Sequence, residues 1–187
     1  MLVRIVIASS LLVSHATAET VNDPSCGPPP AKATSVKMLR DVDWCNFDVG
    51  AWKGSLREGR NVVHLYSQIG GPNPAPHDTI STTLRGIVYG DLDGDKRPEA
   101  ALVIETSNWY GRTGNHSGGS SVQIYKLVGG KPTRLGELAS GTPVRAITLG
   151  KGVVTVTSGP DSATTTLRYR RLKGTFVEIQ PPKTPSP

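Results

Sequence analysis

Gly90-Asp91-Leu92-Asp93-Gly94-Asp95-Lys96-Arg97-Pro98-Glu99-Ala100-Ala101-Leu102-Val103-Ile104 joins an acidic, glycine-marked turn to an unbroken apolar run. The run decides the fold. A strand alternates its side chains between two faces, so Ala100 to Ile104, apolar at every position, reads as a strand buried on both sides at the centre of a sheet. On either side of it apolar residues recur with a period near two, threonine and valine dominate, and turn residues interrupt often. Strands are expected over Trp52–Leu56, Asn61–Ser67, Thr79–Tyr89, Ala100–Thr106, Ser120–Leu127, Thr133–Leu138, Val144–Leu149, Val153–Thr157, Thr164–Leu172 and Thr175–Ile179. Gly129-Gly130, Gly150-Lys151-Gly152 and Lys173-Gly174 read as hairpin turns. Ala33 to Asp43 is the single stretch where a short helix is expected. The fold class is mostly β: an antiparallel sandwich or open barrel of about ten strands.

The ends of the chain differ from its middle. Arg4 precedes a nine-residue apolar run, Ile5 to Val13, and Ala16-Thr17-Ala18 is a small-residue cleavage site, so residues 1–18 read as a signal peptide with a mature start at Glu19. Nine residues cannot cross a hydrocarbon layer that needs about 20. Residues 19–41 form a Pro-rich N-terminal arm with the short helix at its end, 42–179 a single β domain, and 180–187 a Pro-rich tail. The proline-rich stretches Pro24–Lys32 and Gln180–Pro187 suit extended spacers. Removing 18 of 187 residues leaves 169, enough for one domain with a real core. The expected location is secreted or periplasmic. In that oxidising setting Cys26 and Cys45 are expected to form a disulfide, since too few ligands surround them for zinc.

The charge balance is basic, 21 Lys and Arg against 15 Asp and Glu. The basic residues are scattered with little aromatic interleaving, and export argues against nucleic acid as partner. Arg168, Arg170, Arg171 and Lys173 form one cluster, read as a solvated strand face or, alternatively, as a surface for anionic envelope polymers or lipids. No later segment is apolar enough to be expected to span a membrane.

The acidic turn carries the chemistry. Asp91, Asp93, Asp95 and Glu99 occupy positions 1, 3, 5 and 9 of a nine-residue loop with Gly94 inside it. Calcium takes roughly six to eight oxygens at about 2.3–2.6 Å, and alternate acidic positions in a tight loop can turn several carboxylates inward. Four carboxylates so close repel one another without a cation. The loop lacks the Glu at position 12 and the flanking helices of an EF-hand. The alternative is an acidic turn closed by Asx-type hydrogen bonds and ion-paired with Lys96 and Arg97.

This stretch resembles the FG-GAP calcium loop of integrin-type propellers and related bacterial repeat proteins, whose core reads D-x-[DN]-G-D-G-x-x-D between two strands. The resemblance implies Ca2+ as a structural cofactor, with Asp91, Asp93, Asp95 and Glu99 as side-chain ligands and Arg97 as a backbone ligand. Lys96 stands where the family prefers glycine, and Glu99 replaces the usual Asp. A multi-blade propeller is rejected: the loop occurs once, and 169 residues cannot supply four four-stranded blades. A broader similarity, over Val42 to Ile179, is to uncharacterised secreted bacterial proteins with one such loop; it implies no activity.

Asn108 to Ser120 reads as a long Gly-rich loop carrying Trp109, Tyr110, Arg112 and His116, side chains suited to stacking on and hydrogen-bonding a glycan or peptide. The alternative is a long hairpin whose aromatics cover a sheet edge. Asn115-His116-Ser117 also fits a glycosylation sequon. His64 and His77 lack motif partners, and no serine stands in a G-x-S-x-G setting. No catalytic residue is assigned. The reading is a non-enzymatic exported β domain with a structural calcium loop and no identified partner. Alternatives are an envelope or extracellular module binding a glycan or protein through residues 108–120, and, more remotely, a metal-dependent hydrolase.

Overall fold

The computed structural model describes residues 19–21, 24–26, 36–50, 55–66, 76–110 and 115–180. The strands are β1 (Glu19–Thr20), β2 (Arg60–Tyr66), β3 (Pro76–Gly90), β4 (Glu99–Tyr110), β5 (Asn115–Val128), β6 (Lys131–Ser140), β7 (Val144–Gly150), β8 (Val153–Ser158), β9 (Thr165–Leu172) and β10 (Thr175–Glu178). Strands β2 to β6 follow one another as an antiparallel meander of five. A second meander, β7 to β10, forms the other sheet, and the two-residue β1 pairs with the free edge of β7. The two sheets face each other and do not close into a barrel or propeller.

The expected central strand lies where its composition places it. Ala100 to Ile104 are at most 2% exposed. Strand alternation divides them between two cores. Ala101 and Val103 join Val88, Val122, Ile124 and Leu138 against Ile147, Leu149, Val154 and Val156 of the second sheet. Ala100, Leu102 and Ile104 face the opposite way, with Leu84 and Tyr125, and are covered by Leu39, Trp44, Val49 and Leu56. A buried leucine or isoleucine contributes about 1.5–3 kcal/mol, so leaving either face bare would be costly for a domain of this size.

The covering segment is held by aromatic packing and by the disulfide. Trp44, Phe47 and Tyr125 meet with ring centroids 4.8–5.5 Å apart. The Trp44 indole N–H lies 3.1 Å from the Leu39 carbonyl and 3.0 Å from the Tyr89 hydroxyl, so its one polar atom is satisfied in the core. Cys26 and Cys45 are bonded, with Cα atoms 5.5 Å apart. Gly59 fastens this bridge to the sheet: its amide donates to the Cys45 carbonyl and its own carbonyl accepts from Leu84. At φ 78°, with a Cβ there only 2.8 Å from Cys26 Sγ, no other residue fits.

Two sequence expectations need correction. Within Ala33–Asp43 the described residues form only a 3-10 turn, Leu39–Asp41, followed by another at Trp44–Asn46. Met38, in extended conformation, precedes the first turn, and the Asp41 carboxylate accepts from the Lys37 and Met38 amides, so the segment closes on itself as a turn. Of the strand expected over Trp52–Leu56, residues 52–54 lie outside the described residues, and Ser55 and Leu56 are not in a strand. Leu56 instead places its side chain in the core beneath the 3-10 turns. The signal-peptide residues 1–18 and the tail 181–187 also lie outside the described residues.

Because Trp44 fills the layer that seals one face of β4, Trp44→Ala should cost about 3–5 kcal/mol. A urea melt checks this; a loss under 1 kcal/mol would mean that the cover contributes little.

Candidate metal centre

The acidic turn sits where the two sheets converge. Gly90 closes β3 opposite Glu99, leaving residues 91–98 as the connection. A Cβ on Gly90 would lie 2.7 Å from Leu149 of β7, so glycine permits the close approach at this end. Leu92 is 2% exposed and belongs to the inter-sheet core, and its carbonyl accepts from the Gly152 amide in the β7–β8 turn. One apolar residue thus pins an otherwise polar loop to both sheets.

The loop is wound around its own carboxylates. Asp91 Oδ1 accepts from the Gly94 amide at 2.8 Å and Oδ2 from the Lys96 amide at 3.0 Å. Asp93 Oδ1 accepts from the Asp95 amide, and Asp95 Oδ1 from the Arg97 amide at 2.8 Å. Gly94 and Lys96 both take positive φ, 82° and 65°. At Lys96 a side chain therefore occupies a left-handed position that glycine adopts without cost.

Glu99 differs from the other three. It is 0% exposed; one oxygen, Oε2, accepts from the Leu92 amide at 2.7 Å, and the other, Oε1, has no hydrogen-bond partner. The nearest cation to Oε1 is Lys126 Nζ, at 3.7 Å, beyond hydrogen-bonding reach. Burial pushes the Glu99 carboxyl above the ordinary carboxylate range, against the opposing pull of the Leu92 amide. Lys126 hydrogen-bonds to Asp93 Oδ2 and, at 2.8 Å, to Asp95 Oδ2. Its ammonium is raised above its ordinary value by these two carboxylates, and Asp95 is lowered chiefly by Lys126 and then by the Arg97 amide.

Asp91, Asp93 and Glu99 each offer a carboxylate oxygen within 4.8 Å of the others, a spacing suited to one metal ion. Asp95, also expected as a ligand, is not in this group and turns to Lys126. Arg97 enters the loop through its amide. Lys126 escaped the sequence reading because it comes from β5; yet Ala100 pairs with Tyr125, which sets Lys126 opposite Glu99. The β4–β5 register was the signal that could have found it.

The second candidate group lies at the other end of β4, eleven residues from Glu99, or roughly 36 Å along the strand. Asn108 to Ser120 is not a long loop. Strands β4 and β5 extend to Tyr110 and from Asn115, with Trp109 opposite His116, because Thr106–Tyr110 and Ser117–Ser120 continue the ladder. Gly118 belongs to that ladder by necessity, since a Cβ there would lie 2.6 Å from the Thr106 carbonyl oxygen. Trp109, Tyr110 and His116 are exposed, and Arg112 falls in 111–114, outside the described residues. Tyr110 and Asn108 line a groove of about 630 Å³ across the face of the first sheet, with Ile80, Ile104, Gln123 and Arg134. His64 Nδ1 lies 3.2 Å from Thr79 Oγ1, a cross-strand contact within the sheet.

The site is thus a single acidic loop at one end of a two-sheet antiparallel β domain. Compared with known protein families, curated proteins and solved structures, the chain matches none.

The Glu99 shift has a defined sign. A folded carboxyl raised above its unfolded value stabilises the fold below the ordinary carboxyl range, and that stabilisation is lost as pH rises through the folded value. In EDTA, Glu99→Gln should therefore gain on the wild type as pH rises from about 4 to 7, read as a growing difference in melting temperature. A difference that is flat or falls with pH would contradict the burial argument.

Proposed function

We propose that the chain is an exported, non-enzymatic β domain whose Asp91–Glu99 loop holds a structural calcium ion. The observation that carries this reading is Glu99, fully buried with one carboxylate oxygen lacking a hydrogen-bond partner and grouped with the carboxylates of Asp91 and Asp93. An isolated buried carboxylate is costly, and a divalent ion supplies the missing interaction more fully than an ammonium 3.7 Å away. Asp91, Asp93 and Glu99 provide three hard oxygen ligands, with loop carbonyls and water left to complete the shell. The ion ties the β3–β4 connection to the doubly buried strand. Export follows from the N-terminal signal pattern and agrees with the Cys26–Cys45 bridge; no helix among the described residues is long and apolar enough to cross a membrane.

A second reading rests on the opposite end. Tyr110, 40% exposed, borders the 630 Å³ groove of mixed polar and apolar lining, a shape suited to an envelope glycan. Loss of glycan-array signal in Tyr110→Ala, with the fold retained, would support it, and unchanged signal would sink it.

At a calcium concentration a hundredfold above Kd the mature domain should gain about 2.7 kcal/mol over its EDTA-treated form. Asp91→Asn and Glu99→Gln should remove that gain. Lys126→Met, which deletes a competing positive charge, should tighten calcium binding several-fold. If calcium leaves the melting temperature unchanged and Lys126→Met merely destabilises the domain, Lys126 is the loop's own cation and the calcium reading fails.

A further inference from the structure

A cleft of about 480 Å³ opens beside the acidic loop, lined by Leu92, Asp93 and Glu99 on one side and by Arg170, Arg171 and Lys173 on the other. Its basic wall is the β9–β10 hairpin. Arg171 pairs with Phe176, which lies against Gly136 of the first sheet so closely that a Cβ there would sit 2.7 Å from its ring. Tyr169, two residues earlier on the same face of β9, lies against the inter-sheet core. Arg171 therefore stands on the inward-facing side of its strand, just past the end of that core, where the cleft begins. Arg170, Arg171 and Lys173 are exposed, and among the described residues no ion pair engages them.

We propose that this cleft binds a phosphate-bearing small molecule, held between the loop's divalent ion and the Arg171 and Lys173 side chains. The inference rests on the calcium reading above and adds to it a ligand and a place for that ligand. The acidic wall contributes more than a cluster of charges, because Glu99 lines the cleft and its buried Oε1 has no hydrogen-bond partner, with the Lys126 ammonium 3.7 Å away. Charge balance names the ligand. The charged residues lining the cleft are Asp93 and Glu99 against Arg170, Arg171 and Lys173, so with a divalent ion on the acidic wall the cleft carries an excess of positive charge that favours an anion. A phosphomonoester carries about −1.5 to −2 at neutral pH and offers three strong acceptor oxygens. One oxygen completes the coordination of the ion while the others meet the guanidinium, whose fork matches phosphate geometry. A cleft of this volume also leaves room for the group that carries the phosphate.

Calorimetry on the mature full-length chain tests this in separate arms. Calcium alone should release heat. With calcium saturating, sn-glycerol 3-phosphate should bind, and the double variant Arg171→Met, Lys173→Met should weaken that binding at least tenfold while leaving the calcium heat unchanged. EDTA should abolish phosphate binding, and D-galacturonate, a monoanion, should bind more weakly. Normal calcium heat with no response to glycerol phosphate overturns the ligand and leaves the ion reading intact. Phosphate binding that survives EDTA or the double variant overturns the bridging arrangement, and galacturonate binding as tightly overturns the choice of phosphate. Absence of calcium heat overturns both readings together.

Discussion

Glu99 opens a strand whose next five residues have no face in water. Ala100 to Ile104 are covered on one side by the second sheet and on the other by the Trp44 segment, so the chain entering β4 must pass directly from solvent into a dry interior. The first side chain to make that passage is a carboxylate, and it arrives 0% exposed. Everything particular to the loop answers to this constraint. Leu92 is drawn into the core beside it, the Leu92 amide satisfies one carboxylate oxygen, and the remaining oxygen is left without a hydrogen-bond partner. Apolar burial, worth far more over the whole strand than one carboxylate costs, decides the geometry; electrostatics then has to be settled locally.

Lys126 settles it only in part. Lys126 is fixed by strand register opposite Glu99 and reaches Asp93 and Asp95 first, which draws Asp95 away from the inner oxygen group. An ammonium donates only three hydrogen bonds and holds a single charge. Four carboxylates within nine residues exceed that capacity, and the unmet oxygen is the buried one. On the calcium reading, Lys126 would serve Asp93 and Asp95 while a divalent ion would serve the group of Asp91, Asp93 and Glu99.

The fold was largely legible because its strongest signal was local. A short run apolar at every position read as a doubly covered strand, and three glycine-marked hairpins fixed the turns between β5 and β6, β7 and β8, and β9 and β10. What stayed hidden depended on contacts distant in sequence. The short helix over Ala33–Asp43 failed because Asp41 turns back on the Lys37 and Met38 amides. The extent of β4 and β5 was underestimated because Gly118 and Gly119, which read as loop residues, are there to let strands approach. Asp91, Asp93 and Glu99 were readable from their spacing, and so was the conformational cost at Lys96, which indeed takes a left-handed backbone. Lys126 was not, and although Arg170, Arg171 and Lys173 read as a basic cluster, nothing in a linear pattern places residue 126 or 171 beside residue 99 without the strand register.

The central claim is that a divalent ion, and not Lys126 alone, answers the buried carboxylate. A crystal structure of the mature domain grown in millimolar calcium tests it most directly. The account predicts a density peak about 2.3–2.6 Å from oxygens of Asp91, Asp93 and Glu99, absent from crystals grown in EDTA. A loop that stays empty in calcium, with the Lys126 ammonium closed onto Glu99 Oε1 at hydrogen-bonding distance, would contradict it.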